Sequence, residues 1–121
     1  MLNGVFKLYK KKGVTGGTPV TLLKEVRFVI EAKVEQYLVK RCKEKGWLCL
    51  KFVSPGHRAV PDRLILIPNG YQMFVELKRP GGKPRPDQVR MIEKFRDFGQ
   101  LVHVVDSKEK VDNLLIWGDP L

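Results

Sequence analysis

Three residues carry the chemistry that this chain can perform: Asp62, Glu76 and Lys78. Asp62 follows Pro61 and opens an apolar run, Arg63 to Ile67. Glu76 and Lys78 end a second run, Gln72 to Lys78, and Pro68-Asn69-Gly70 separates the two. An Asn-Gly between apolar runs marks a tight hairpin, so Asp62 at the start of one strand meets Glu76 at the end of the other. Side chains alternate faces along a strand, which puts Glu76 and Lys78 on one side and Val75 and Leu77 on the other. Two carboxylates held together repel unless a cation lies between them, and hard oxygen donors with room for water suit Mg2+ or Mn2+. A cation there would polarise a phosphate and acidify a bound water, while Lys78 could hold that water or stabilise charge developing on the phosphate. The trio predicts metal-dependent phosphodiester hydrolysis. Taken singly, a Pro-Asp or a Glu-x-Lys suits a solvated surface pair equally well; the joint placement around a hairpin is what points to chemistry.

The elements that must position these residues are legible on both sides of the hairpin. Val34, Tyr37, Leu38 and Cys42 recur at helical spacing over Glu31 to Lys45, with Gly46 placed as a C-terminal cap. Trp47 to Val53 reads as a strand, and Ser54-Pro55-Gly56-His57-Arg58 as a polar loop leading to Asp62. After a flexible, basic stretch from Arg79 to Arg85, Pro86 suits the first turn of a helix reaching about Phe98, before Gly99. Leu101 to Val105 is a short strand, and Ser107 can cap a last helix through Val111, Leu114 and Leu115. The order α-β-β-β-α-β-α predicts an α/β fold, with a central mixed sheet flanked by helices. Val5, Phe6, Leu8 and Tyr9 suggest a strand and Lys10-Lys11-Lys12 a basic arm, so residues 1–28 read as an N-terminal extension and 29–121 as one domain.

Composition narrows the partners. Lys and Arg number 23 against 13 Asp and Glu, a net charge of +10 that calls for an anionic partner and does not by itself separate nucleic acid from an acidic membrane surface. No apolar stretch is long enough to span a bilayer and the N-terminus lacks a signal-peptide core, so a cytoplasmic protein without membrane attachment is expected. Cys42 and Cys49 match no zinc spacing and read as reduced, buried thiols.

Pro61-Asp62 followed by Glu76-x-Lys78 resembles the PD-(D/E)xK nuclease signature. More narrowly, Ser54 to Leu64 (SPGHRAVPDRL), Phe74-Val75-Glu76-Leu77-Lys78 and the later Gln88 resemble the VRR-NUC family of virus-type replication-repair nucleases, over about Glu31 to Leu115. The resemblance implies a restriction-endonuclease-like core and an Mg2+ or Mn2+ ion held by Asp62, Glu76, the main-chain carbonyl of Leu77 and often a carboxylate of the first helix. Glu35 is the candidate for that last ligand and Glu31, one turn earlier on the same face, the alternative. Gln88 corresponds to a glutamine that the family places on the helix after the catalytic strand, within reach of the scissile phosphate or the water. Ala59 departs from the pattern, which has glycine there in many members.

His57, Arg58, Arg79, Lys83 and Arg85 are placed to contact a DNA backbone, although each also suits an ordinary solvated loop. His103, between Val102 and Val104, reads as structural. The chain looks like the small standalone phage and bacterial members of the family, which implies a structure-selective DNA endonuclease acting on branched DNA such as four-way junctions in replication, repair or recombination. No small-molecule cofactor is expected. Two symmetric cuts need two sites, so a homodimer is predicted, through the N-terminal extension or Leu114, Ile116 and Trp117. The alternatives are a sequence-dependent restriction-type nuclease, an RNA-directed one, or a noncatalytic nucleic-acid-binding module on the same fold.

Overall fold

The Asn-Gly turn organises the sheet. In the computed structural model, which describes residues 19–116, strands β2 (Arg63–Ile67) and β3 (Tyr71–Leu77) pair antiparallel from Arg63↔Val75 to Ile67↔Tyr71. Asn69 and Gly70 between them have φ of 73° and 86°, the two left-handed residues that a type I′ turn requires. Strand β1 (Leu48–Lys51) pairs antiparallel with β2, bringing Lys51 opposite Arg63. Strand β4 (Val102–Val105) pairs parallel with β3, from Phe74↔Val102 to Leu77↔Val105. A parallel neighbour needs a crossover, and α2 (Pro86–Asp97) supplies it. The result is a mixed sheet of order β1-β2-β3-β4.

Alternation along β3 divides the core in two. Met73, Val75 and Leu77, with Ile65 and Ile67 of β2, pack against Val34, Leu38 and Cys42 of α1 (Pro19–Lys45) and Val111, Leu114 and Leu115 of α3 (Lys108–Leu115). Phe74 faces the other way, onto Ile92 and Val102. There Phe52, Phe74 and Phe95 meet edge to face, with ring centroids 4.8–6.2 Å apart. The expected α/β sandwich, in the order α-β-β-β-α-β-α, is the fold observed. Ser107 caps α3 as expected, its Oγ accepting from the Lys110 N–H at 3.2 Å.

Three features differ from the sequence reading. Helix α1 starts at Pro19 instead of Glu31; its early turns expose Leu23 and Phe28 and bury no continuous stripe, so periodicity could not reveal them. The basic segment that follows β3 contains a hydrogen-bonded turn at Arg79 to Gly82 that its sequence did not reveal. The Gly82 N–H donates to the Arg79 carbonyl at 2.8 Å, and the Gly81 N–H to Asp106 Oδ2 at 3.1 Å. A Cβ at Gly82 would lie 3.0 Å from the Arg79 carbonyl oxygen, a tight contact that glycine avoids. Leu114, proposed for a dimer surface, is buried in the core beneath α1 and cannot serve; Ile116 is exposed. Trp117, the strand expected over Val5 to Tyr9 and the run Lys10 to Lys12 lie outside the described residues. Cys42 and Cys49 form no disulfide; the buried Cys42 thiol hydrogen-bonds to Cys49. No helix among the described residues is long and apolar enough to cross a membrane.

Candidate active site

One step beyond the Arg63↔Val75 pair, the hairpin register sets Asp62 against Glu76. Asp62 is clamped from both sides of its strand: its carbonyl accepts from the Phe52 N–H at 2.9 Å, and its Oδ2 accepts from the Leu77 N–H at 2.8 Å. The buried Pro61 leads into it. The carboxylate position is thus fixed by main-chain bonds from two neighbouring segments.

Glu76 is 1% exposed, the most deeply buried charge-bearing side chain described. Its Oε2 is buried with no hydrogen-bond partner in the described structure. What it faces is the Asp62 carboxylate, itself an acceptor. Burial first, then the hydrogen bond and charge of Asp62, push the Glu76 carboxyl up to about 9, against an opposing pull from Lys78. Without a cation, Glu76 therefore keeps a proton at neutral pH and shares it with Asp62.

Gln88 is 6% exposed, and its Nε2 reaches toward Glu76 Oε1 at 3.5 Å, a long and weak contact. Its Oε1 accepts from the Arg85 N–H at 2.9 Å. That bond, the return half of a capping box, turns the amide so that its NH2 side faces the glutamate. The helix cap and the orientation of Gln88 are one arrangement.

In front of Asp62 opens a cleft of about 270 Å³, lined by Glu31, Glu35, Lys51, Phe52, Asp62 and Leu77 among others. Glu35 is engaged there: Arg63 Nε donates to its Oε2 at 2.9 Å, in an ion pair largely shielded from water. Glu31 has no such partner, and its carboxyl is raised by burial above all, with Lys78 pulling it down and Asp62 and Glu35 pushing it up. Glu31 also contributes to the field at Glu76, whereas Glu35 is not among the principal groups acting there. Among the described residues no three acidic, histidine or cysteine side chains converge into a ready-made metal cage. The site brings together two carboxylates, Asp62 and Glu76, beside a cleft that Leu77 also lines.

The expected nucleic-acid contacts do not converge on this pair. Arg79 is half-buried with its guanidinium 3.4 Å from the Pro80 carbonyl, Arg85 pairs with Asp87 at 3.3 Å, and Lys83 and His57 are exposed. Arg58 lines a separate cleft against α2. His103 is half-buried in β4, where burial lowers its basicity. Two residues escaped sequence reasoning, Arg63 and Lys51. Both read as ordinary strand positions; Arg63 follows Asp62 in the chain, and the pairing of β1 with β2 brings Lys51 opposite it.

No family model matches the chain. A curated relative does, "Putative nuclease p44" of Acyrthosiphon pisum secondary endosymbiont phage 1, at 44% identity over 84 residues that cover 69% of this chain and 90% of the relative. A solved structure described as a VRR_NUC domain is 37% identical and superposes with a TM-score of 0.68, over 73% of this chain and 96% of the other. The chain belongs to the VRR-NUC family. Its departure from the VRR-NUC pattern has a backbone cause: Ala59 has φ of 62°, a left-handed conformation that glycine adopts freely and a Cβ makes costly by about 1–2 kcal/mol. The loop thus places a residue with a Cβ in a conformation poorly suited to it.

Proposed function

We propose that this nuclease-family chain is an Mg2+- or Mn2+-dependent DNA endonuclease, with Asp62, Glu76 and the Leu77 carbonyl as metal ligands and Lys78 as the catalytic cation. The carrying observation is the buried Glu76 oxygen that faces a second carboxylate and has no donor in the described structure. A divalent cation relieves that repulsion, and a pair of carboxylates with a carbonyl leaves most of its coordination to water and phosphate, as Mg2+ prefers. When bound, the ion supplies charge neutralisation at the scissile phosphate and a more acidic water.

The remaining steps belong to the chain. Glu76 releases its proton when the site is loaded, because the neutral acid is a poor ligand. The Leu77 N–H keeps Asp62 in place while its other oxygen turns to the cleft. Lys78 stabilises the negative charge that develops on the phosphate or holds the attacking water. Gln88 acts through Glu76, holding its carboxyl in the plane set by the α2 cap. Of the helix carboxylates, Glu31 fits the fourth position better than Glu35, which Arg63 holds aside.

The finer reading is cleavage of branched DNA such as four-way junctions by a homodimer, with a domain that includes the whole of α1 from Pro19. Leu23 and Phe28 support a subunit contact, since Phe28 is 74% exposed on a helix that projects past the core. The test is cleavage of labelled four-way-junction, flap and linear DNA and of RNA in Mg2+, Mn2+ or EDTA, beside Glu76→Ala. Metal-dependent cutting lost in the variant supports the assignment and ranks the substrates; tight binding without cutting in either metal refutes it. Sedimentation of a strict monomer on junction DNA refutes the dimer.

A further inference from the structure

Beside the catalytic hairpin, the loop from Ser54 to Val60 and helix α2 enclose a second concavity of about 510 Å³, lined by Arg58, Ala59, Asp87, Arg90, Met91 and Lys94. We propose that this cleft is a subsite for the phosphate backbone of the substrate strand, in which Arg58, Arg90 and Lys94 contact phosphates flanking the cut; it rests on the nuclease reading above.

The first argument is charge. All three cations are exposed, and none makes an ion pair or hydrogen bond among the described residues. By contrast, two basic side chains at the ends of α2 are employed: Arg85 pairs with Asp87, and Arg96 Nη2 donates to the Val102 carbonyl at 2.7 Å. The single carboxylate of the cleft is therefore engaged, and its own acidity is strengthened by that contact with Arg85. Three unneutralised cations around one concavity repel each other unless a polyanion lies among them.

The second argument is placement. Arg90 and Lys94 stand four residues apart, on one face of α2. The opposite wall is the loop that delivers Asp62 four residues after Arg58, and α2 itself carries Gln88, which touches Glu76. The cleft therefore adjoins the carboxylate pair on its α2 side, away from the mouth lined by Glu31 and Glu35. A strand running from one to the other has its phosphates stepped along both. The left-handed backbone at Ala59 fits this placement: the loop holds a strained conformation at the residue after Arg58, at the rim of the cleft.

The experiment is equilibrium binding of a fluorescent duplex in EDTA across a salt series, for wild type, the triple variant Arg58→Ala/Arg90→Ala/Lys94→Ala, and a control, Lys33→Ala/Lys40→Ala/Lys43→Ala on α1, which removes equal charge from another element. Each phosphate contact contributes about 0.9 to the slope of log K against log salt. The cleft variant should lose about 2 to 3 from that slope and bind at least tenfold more weakly near physiological salt, while the control loses less than about 1. Thermal melting and Mn2+-induced stabilisation of both variants should match wild type, which separates the subsite from folding and from the metal site. Equal slopes for cleft variant and control, with wild type cutting and binding normally, overturn the subsite alone. Wild type that neither binds nor cuts overturns the nuclease reading and the subsite together.

Discussion

Replacing Glu76 with glutamine should make the metal-free protein more stable, even though it should abolish catalysis. A carboxyl raised from 4.5 to about 9 keeps in the folded state a proton that the unfolded chain has already released. Between those values the unfolded state binds fewer protons, so stability falls as pH rises through the window, and the penalty is absent below the unfolded value. Near pH 7.5 the difference of about 3 units, at about 1.36 kcal/mol each, sets a ceiling of about 4 kcal/mol. Sharing the proton with Asp62 and local relaxation reduce this, so about 1–3 kcal/mol is expected. Glutamine copies the shape of the neutral acid and never pays the penalty: its NH2 can face Asp62 while its oxygen accepts from Gln88. For a domain of this size the gain corresponds to a Tm about 4–12 °C higher near pH 7.5. The assay is thermal unfolding of wild type and Glu76→Gln in EDTA from about pH 4 to 8.5. The two curves should converge near pH 4, and Mg2+ or Mn2+ should raise the Tm of wild type alone. A variant that melts with wild type at every pH, or below it at the alkaline end, refutes the account of Glu76 as a strained buried acid awaiting a cation.

Ala59→Gly should stabilise the protein by about 0.5–1 kcal/mol, read by denaturant unfolding, because relief at a φ of 62° outweighs the entropy that glycine adds to the unfolded chain. Gln88→Ala should cost about 1–2 kcal/mol by leaving the Arg85 N–H without its acceptor. It should also lower kcat or Mn2+ affinity about 10- to 100-fold by freeing Glu76, with Gln88→Glu failing to restore either. Arg63→Met should destabilise by about 1–3 kcal/mol through the unpaired Glu35, and the double variant with Glu35→Met should recover most of that loss, which a double-mutant cycle by chemical denaturation measures.

The fold was legible where local signals and burial agreed. The Asn69-Gly70 pair announced a tight hairpin and therefore the meeting of Asp62 with Glu76 at its far end; Gly46, Pro86 and Ser107 marked helix ends by backbone requirements that hold whatever packs around them. Legibility failed where structure depended on distant partners. The first turns of α1 form without a buried stripe, so no periodicity marks them. The turn from Arg79 to Gly82 went unread because one of its bonds runs from the Gly81 N–H to Asp106, more than twenty residues later. Leu114 looked available because a short amphipathic helix does not show in sequence which of its apolar residues the neighbouring helix will cover.

The candidate site divides along the same line. Asp62, Glu76, Leu77 and Lys78 belong to one hairpin, so spacing alone brings them together. The helix carboxylate comes from a remote element, and Glu31 and Glu35, a turn apart on one face, are equivalent in any periodic reading. What distinguishes them is Arg63, which stands next to Asp62 in sequence and reaches across to α1. By binding Glu35 at 2.9 Å it ties α1 to β2 and gives that carboxylate a cationic partner while it still lines the cleft. Glu31 shares the cleft and lies in the fields of Lys78, Asp62, Glu35 and Arg79, without a side-chain ion pair among the described residues. The two look-alike residues differ in their partners, Arg63 for Glu35 and none such for Glu31, and a linear pattern does not contain that information.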